Sequence, residues 1–115
     1  ESASRSFHAT RAQATFCGHV HVPQLYHLSP TGEIADTLPV QGVEIPLVPR
    51  QRSLAVIGSV GQPREYNPAA CYGALDTERN VLIYVRVVYD NETAARKIRE
   101  AGLPEFLSQR LIAGV

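Results

Sequence analysis

Apolar residues along this chain come in short runs broken by turn-forming residues, and helical spacing of apolar positions is confined to the two ends. The first segment, Ser2 to about Gln13, can place Ala3 and Phe7 on one face and predicts a short helix. Ala14-Thr15-Phe16-Cys17 is an apolar run stopped by Gly18, which predicts a buried strand entering a turn. Gln24 to Leu28 predicts a second strand. Ser29-Pro30-Thr31-Gly32 then folds it back onto a return limb from Ile34 to Val40, because Pro presets φ and Gly permits positive φ. The stretch Val43 to Val48 contains Pro46 and is followed by Pro49; proline cannot donate to a sheet ladder, so the segment belongs at a sheet edge. Arg50-Gln51-Arg52 reads as surface.

Leu54-Ala55-Val56-Ile57 is apolar at every position, as a strand covered on both faces must be, and it exits into Gly58-Ser59-Val60-Gly61-Gln62-Pro63-Arg64. Cys71 to Leu75 and Val81 to Tyr89 flank the polar stretch Asp76 to Asn80 and predict a hairpin. In its second limb Val81, Ile83, Val85, Val87 and Tyr89 line one face. Leu82, Tyr84 and Val88 keep the other apolar apart from Arg86, which predicts cover on both faces. Asp90-Asn91 supplies capping oxygens for a helix in which Ala94, Ile98 and Ala101 recur, with Gly102 as its stop. Pro104 suits the first turn of another helix, with Phe106, Leu107 and Leu111 on its apolar side. The expected class is α+β, mostly strands with two C-terminal helices.

Composition changes this picture by exclusion. With 44% hydrophobic and 19% charged residues the chain is built to fold rather than to stay disordered. Eleven Lys plus Arg balance eleven Asp plus Glu, and all the cations but Lys97 are scattered arginines, so nonspecific nucleic-acid binding and an anionic-membrane anchor are both excluded. No apolar run approaches the roughly 20 residues that span a bilayer. Cys17 and Cys71 lie in apolar runs, where buried free thiols are expected, and a reducing cytoplasm is the default compartment. The chain has no Met and opens Glu1-Ser2-Ala3, which suggests a product processed or cut from something longer.

Candidate chemistry concentrates in Gly18-His19-Val20-His21-Val22-Pro23. Two histidines one residue apart would project to the same side of an extended backbone, about 6 to 7 Å apart, and could reach one metal or two neighbouring ones. Neutral imidazole binds Zn, Mn, Fe or Ni without adding charge. The spacing alone leaves hydrogen-bonded or solvated histidines open as an alternative. His8 and His27 read as surface or as satisfied partial burial, and Asp36, Asp76 and Asp90 as turn or capping residues.

The motif GHVHVP at 18–23, followed by IGSVGQPR at 57–64, Asn67-Pro68-Ala69-Ala70-Cys71-Tyr72 and Tyr89-Asp90, resembles the C-terminal portion of the calcineurin-like metallophosphoesterases, in particular the small prokaryotic phosphodiesterases. The resemblance implies the C-terminal half of a four-layer αββα sandwich, with residues 1–115 forming a single piece that brings one sheet, part of the site and the closing helices. It also implies hydrolysis of phosphate esters at a dinuclear centre of two divalent ions (Mn, Fe, Zn or Ni) that activates a bridging hydroxide. His19 would ligate one ion and His21 the other. Ser59 and Arg64 would face the substrate, with a plain strand exit and a structural salt bridge as the alternative roles of the glycine-rich turn and of Arg64.

The family's upstream Asp-x-His, GD-x-x-D and GNH[DE] segments have no counterpart in the chain. Two histidines cannot fill two metal shells, so the chain alone is expected to be inactive and to pair with its own N-terminal segment or another copy. A non-catalytic accessory module and a single structural metal site are the alternatives.

Overall fold

The computed structural model describes residues 2–115. In chain order the elements are α1 (Ser2–Ala9), β1 (Ala14–Cys17), β2 (Gln24–Leu28), β3 (Ile34–Thr37), β4 (Glu44–Pro46), β5 (Arg52–Val56), β6 (Ala70–Asp76), β7 (Val81–Val87), α2 (Asn91–Glu100) and α3 (Glu105–Ala113). The α+β class holds. The strands form two sheets rather than the single one expected, a four-stranded sheet in the order β1-β5-β2-β3 and a three-stranded sheet in the order β4-β7-β6. Each sheet needs its apolar face covered, and this chain lets each cover part of the other. Leu25 and Ala55 from the first meet Leu47, Cys71, Leu82 and Tyr84 from the side of the second. The Tyr84 hydroxyl crosses the layer to donate to the Gln24 carbonyl at 3.2 Å, and burial raises its pKa.

One pairing positions everything that follows. β1 runs parallel to β5, with Cys17 opposite Val56, so both strands end at the same edge of the sheet. β2 returns antiparallel to β5, and β3 antiparallel to β2 through the predicted hairpin. That hairpin closes locally: the Gly32 amide donates to the Ser29 carbonyl at 3.0 Å, and the Ser29 hydroxyl accepts from the Glu33 amide at 3.0 Å. β4 is an edge strand, as Pro46 requires.

Several expectations are corrected by contacts between distant segments. α1 stops at Ala9 instead of about Gln13, and its end is held by Arg52, whose guanidinium donates to the carbonyls of Phe7 (2.7 Å) and Ala12 (3.2 Å) and also bonds the carbonyl of Thr10. Arg52 also sits 5.5 Å over the Phe7 ring. It is therefore a half-buried anchor at the start of β5, not surface. β3 ends at Thr37, leaving Leu38 and Val40 exposed. β7 ends at Val87, and with Val87 44% and Val88 88% exposed the expected cover is lost at the end of the strand.

Asp90 caps α2 as predicted, accepting from the Thr93 amide at 2.9 Å, and that bond draws its carboxyl pKa down. The fully buried residue of α2 is Ala95, one position away from the predicted face of Ala94, Ile98 and Ala101. In α3 Ser108 and Leu111 are buried, whereas Phe106 is exposed with the Arg110 guanidinium 5.2 Å from its ring.

The radius of gyration is 16.3 Å, against about 13 Å for a compact chain of this length. The accessible surface is 7244 Å², against roughly 6,200 Å² for a compact monomer of this mass. Among the described residues no helix is long and apolar enough to cross a membrane.

Candidate functional site

Because β1 and β5 are parallel, the segments that follow them leave the sheet side by side, and these are the two motifs at 18–23 and 57–64. The Ile57 amide donates to the Cys17 carbonyl at 3.0 Å, so the two exits are joined at their root. Beyond Cys17 the backbone is not extended. His19 (φ 77°) and His21 (φ 69°) both occupy the left-handed region, and the same-side projection expected of an extended His-x-His does not apply. Gly18 and Pro23 end regular structure on either side of the pair. A non-glycine residue held in this region costs about 1 kcal/mol or more, and such strain persists only where surrounding contacts impose it.

For His21 the contact is visible. Its Nδ1 lies 2.7 Å from the Gln62 carbonyl oxygen. A carbonyl can only accept, so Nδ1 carries the hydrogen, and in the neutral ring Nε2 then has the lone pair that a metal would take. His21 is half-buried and His19 exposed.

The glycine-rich segment is shaped from within. The Ser59 hydroxyl accepts from the amides of Gly61 (3.2 Å) and Gln62 (2.9 Å), and the Ser59 carbonyl accepts from the Cys71 amide at 2.9 Å. Ser59 thus fixes the turn with its oxygen and keeps its hydroxyl hydrogen to offer. Gly58 is where the two motifs touch. It has φ 90°, and a Cβ there would lie 3.2 Å from Cys71 Cβ and 3.3 Å from Pro23 Cδ, so only glycine satisfies both backbone and space.

Arg64 is exposed and takes no part in an ion pair among the described residues, so the structural salt bridge considered for it is absent. The ion pair of this segment belongs instead to its neighbour Glu65, which meets Arg86 of β7. Sequence reading missed Glu65, Arg86 and the Gln62 carbonyl. Arg86 did leave a trace, as the one charge on an otherwise apolar strand face.

The remaining candidates stay out of the site. His8 is exposed and bonds the Ser4 carbonyl within α1 (2.7 Å). His27 shares a hydrogen bond with the Ser53 hydroxyl (3.0 Å), and burial lowers its pKa. Asp36 accepts from Gln24, Asp76 accepts the amides of Glu78 and Arg79, and Asp90 caps α2. Both cysteines are free. Cys71 is buried as expected and its thiol pKa is raised by that burial, but Cys17, at the end of edge strand β1, is exposed. A cavity of about 520 Å³ lies at the opposite end of the four-stranded sheet, lined by His27, Ser29, Glu33, Ile34, Ala35 and Gln51. Among the described residues no three His, Cys, Asp or Glu side chains gather into a metal-binding group. Two histidines by themselves fall short of a metal's ligand shell, which normally needs about four to six donors.

No family model matches the chain. It is 36% identical over 99 residues to an uncharacterized protein of Methanocaldococcus jannaschii, a match covering 86% of this chain and 38% of that protein. Among solved structures, a metallophosphoesterase from Sphaerobacter thermophilus is similar at 32% identity with a TM-score of 0.86, covering 99% of this chain and 47% of that one. The chain thus spans less than half the length of either relative. Its α+β architecture is that of a corresponding share of a metallophosphoesterase.

Proposed function

We propose that the protein to which this chain belongs is a metal-dependent phosphoesterase, and that the chain contributes the last two ligands, His19 and His21, to a dinuclear site. The observation that carries this reading is the meeting of the two motifs at one sheet edge, with the His21 Nδ1 hydrogen committed to the Gln62 carbonyl and Nε2 left as the donor. Two divalent ions, when bound, supply positive charge that polarises a phosphate ester and acidifies water. The chain's own residues then divide the remaining work. His19 and His21 hold the ions, the Ser59 hydroxyl offers a hydrogen beside them, and the exposed Arg64 offers a planar fork that matches a phosphate edge.

The other ligands lie outside this chain on this reading, and the 115 residues alone do not turn over substrate. The surplus of accessible surface and the exposed apolar side chains of β1 and β7, Phe16 and Val87 among them, fit a partner surface supplied by the protein's own N-terminal segment or by a second copy. Two free thiols fit a cytoplasmic setting. The assay is hydrolysis of bis(4-nitrophenyl) phosphate with added manganese. It should give turnover by the longer protein, loss of that turnover on chelation, and none by the 115-residue chain. Equal turnover by the chain would overturn the division of ligands. A longer protein inactive with every divalent ion tried would favour an accessory module.

A further inference from the structure

We propose that Arg86, which lies on the second sheet and touches neither histidine, is a positioning residue for His21, acting through the glycine-rich segment. The inference rests on the reading of His21 as a ligand for its purpose, but its physical content concerns one hydrogen bond.

Arg86 stands opposite Cys71 in the β6–β7 ladder, and the Cys71 amide closes the segment by donating to the Ser59 carbonyl (2.9 Å). Arg86 is therefore at the root of the loop that carries Gln62. From there its guanidinium reaches into the loop twice, donating through Nη1 to the Ala69 carbonyl (3.1 Å) and meeting the Glu65 carboxylate through Nη2. Both side chains are largely buried, Arg86 10% and Glu65 21% exposed. Among the described residues Arg86 is the partner that holds the Glu65 carboxylate, which finds no other. Pro63, fully buried, lies between Gln62 and the braced residues. Gln62 is thus held on one side by the Ser59 hydroxyl, which accepts from its amide, and followed on the other by a buried proline, with the charge pair beyond it. The Gln62 carbonyl is the group that fixes the His21 ring.

A buried ion pair brings little net stability over apolar residues of the same size, and Arg86 interrupts a strand face that could have been apolar throughout. Holding one loop conformation is a use that accounts for its presence. Arginine suits it because one rigid plane serves two partners, which a lysine ammonium does less well.

The test is metal-free and uses the longer protein stripped of metal with a chelator. Nitrogen-15 NMR at about pH 8, where imidazole is neutral, reads the tautomer of each histidine. Wild type should show His21 protonated on Nδ1. Arg86→Met should shift His21 toward the Nε2-protonated form and speed hydrogen exchange at Gln62 and Arg64, with His27 unchanged and Arg86→Lys giving partial recovery. Should Arg86→Met alone fail to fold, Glu65→Leu with Arg86→Met removes both charges and is read the same way. A folded variant with the His21 tautomer and loop exchange of wild type would overturn the proposal, as would a wild-type His21 protonated on Nε2. Because no metal or substrate enters, loss of the phosphoesterase reading would leave this result standing, and the reverse holds too.

Discussion

The two ends of the four-stranded sheet each carry a histidine, a serine and a glycine turn, and they solve the same problem differently. At the β2–β3 end the turn is closed by residues within five positions of each other, its one left-handed residue is Gly32 with open space around it, and His27 bonds its cross-strand neighbour Ser53. At the β1–β5 end two non-glycine residues, His19 and His21, are left-handed alongside Gly58, and His21 is bonded to a carbonyl forty-one positions away. Gly58 there is wedged between Pro23 and Cys71. A turn that only reverses the chain is satisfied locally and relaxed. The other end is strained and held by distant segments, which is the condition of a pre-organised site.

The contrast is sharpest in activity. In the longer protein, His21→Ala should lower phosphodiester turnover by about 100-fold or more, the scale of losing one preorganised electrostatic group. His27→Ala should leave it within a few-fold, and equal losses would erase the distinction between the ends. The two glycines make the next comparison. Gly32→Ala meets only the left-handed penalty of about 1 to 2 kcal/mol, whereas Gly58→Ala adds compression against Cys71 and Pro23 and should cost about 2 to 4 kcal/mol. Urea unfolding of the two variants reads the difference directly.

Strain can also be released. His19 is exposed at φ 77°, so His19→Gly should be neutral or stabilising by up to about 1 kcal/mol while abolishing a proposed ligand. A clear destabilisation would mean that the ring makes a contact that matters. The smallest effect concerns pH. Burial lowers the pKa of His27 from the ordinary value of 6.5, so the unfolded chain binds its proton more readily. Stability from this group is complete above about pH 7 and declines as pH falls below the unfolded value. His27→Gln should flatten the stability profile between about pH 7 and 5.

Local signals in the sequence specify local structure. The Ser29–Gly32 turn, the β6–β7 hairpin, the Pro46 edge strand and the Asp90 cap depend on residues close in the chain. Motif order also anticipates that the two motifs meet, because β1 and β5 run parallel and each carries its motif directly at the strand exit. What could not be read depends on backbone groups far away. Arg52 and Arg86 looked like surface and interruption, yet each serves main-chain carbonyls, of Phe7 and Ala69 among others, that have no sequence signature. The left-handed conformation of the two histidines was hidden for a related reason, since its usual marker is glycine. The division into two sheets depends on which apolar faces meet, and period-two patterns do not specify that.

On the proposed function, His19 and His21 hold metal. Metal content per chain of the longer protein, loaded with manganese and measured by elemental analysis after desalting, tests it in wild type, His19→Ala and His21→Ala. Two ions are expected in wild type and a reduced content in each variant, with His27→Ala unchanged. Full metal content in both His19→Ala and His21→Ala would contradict it.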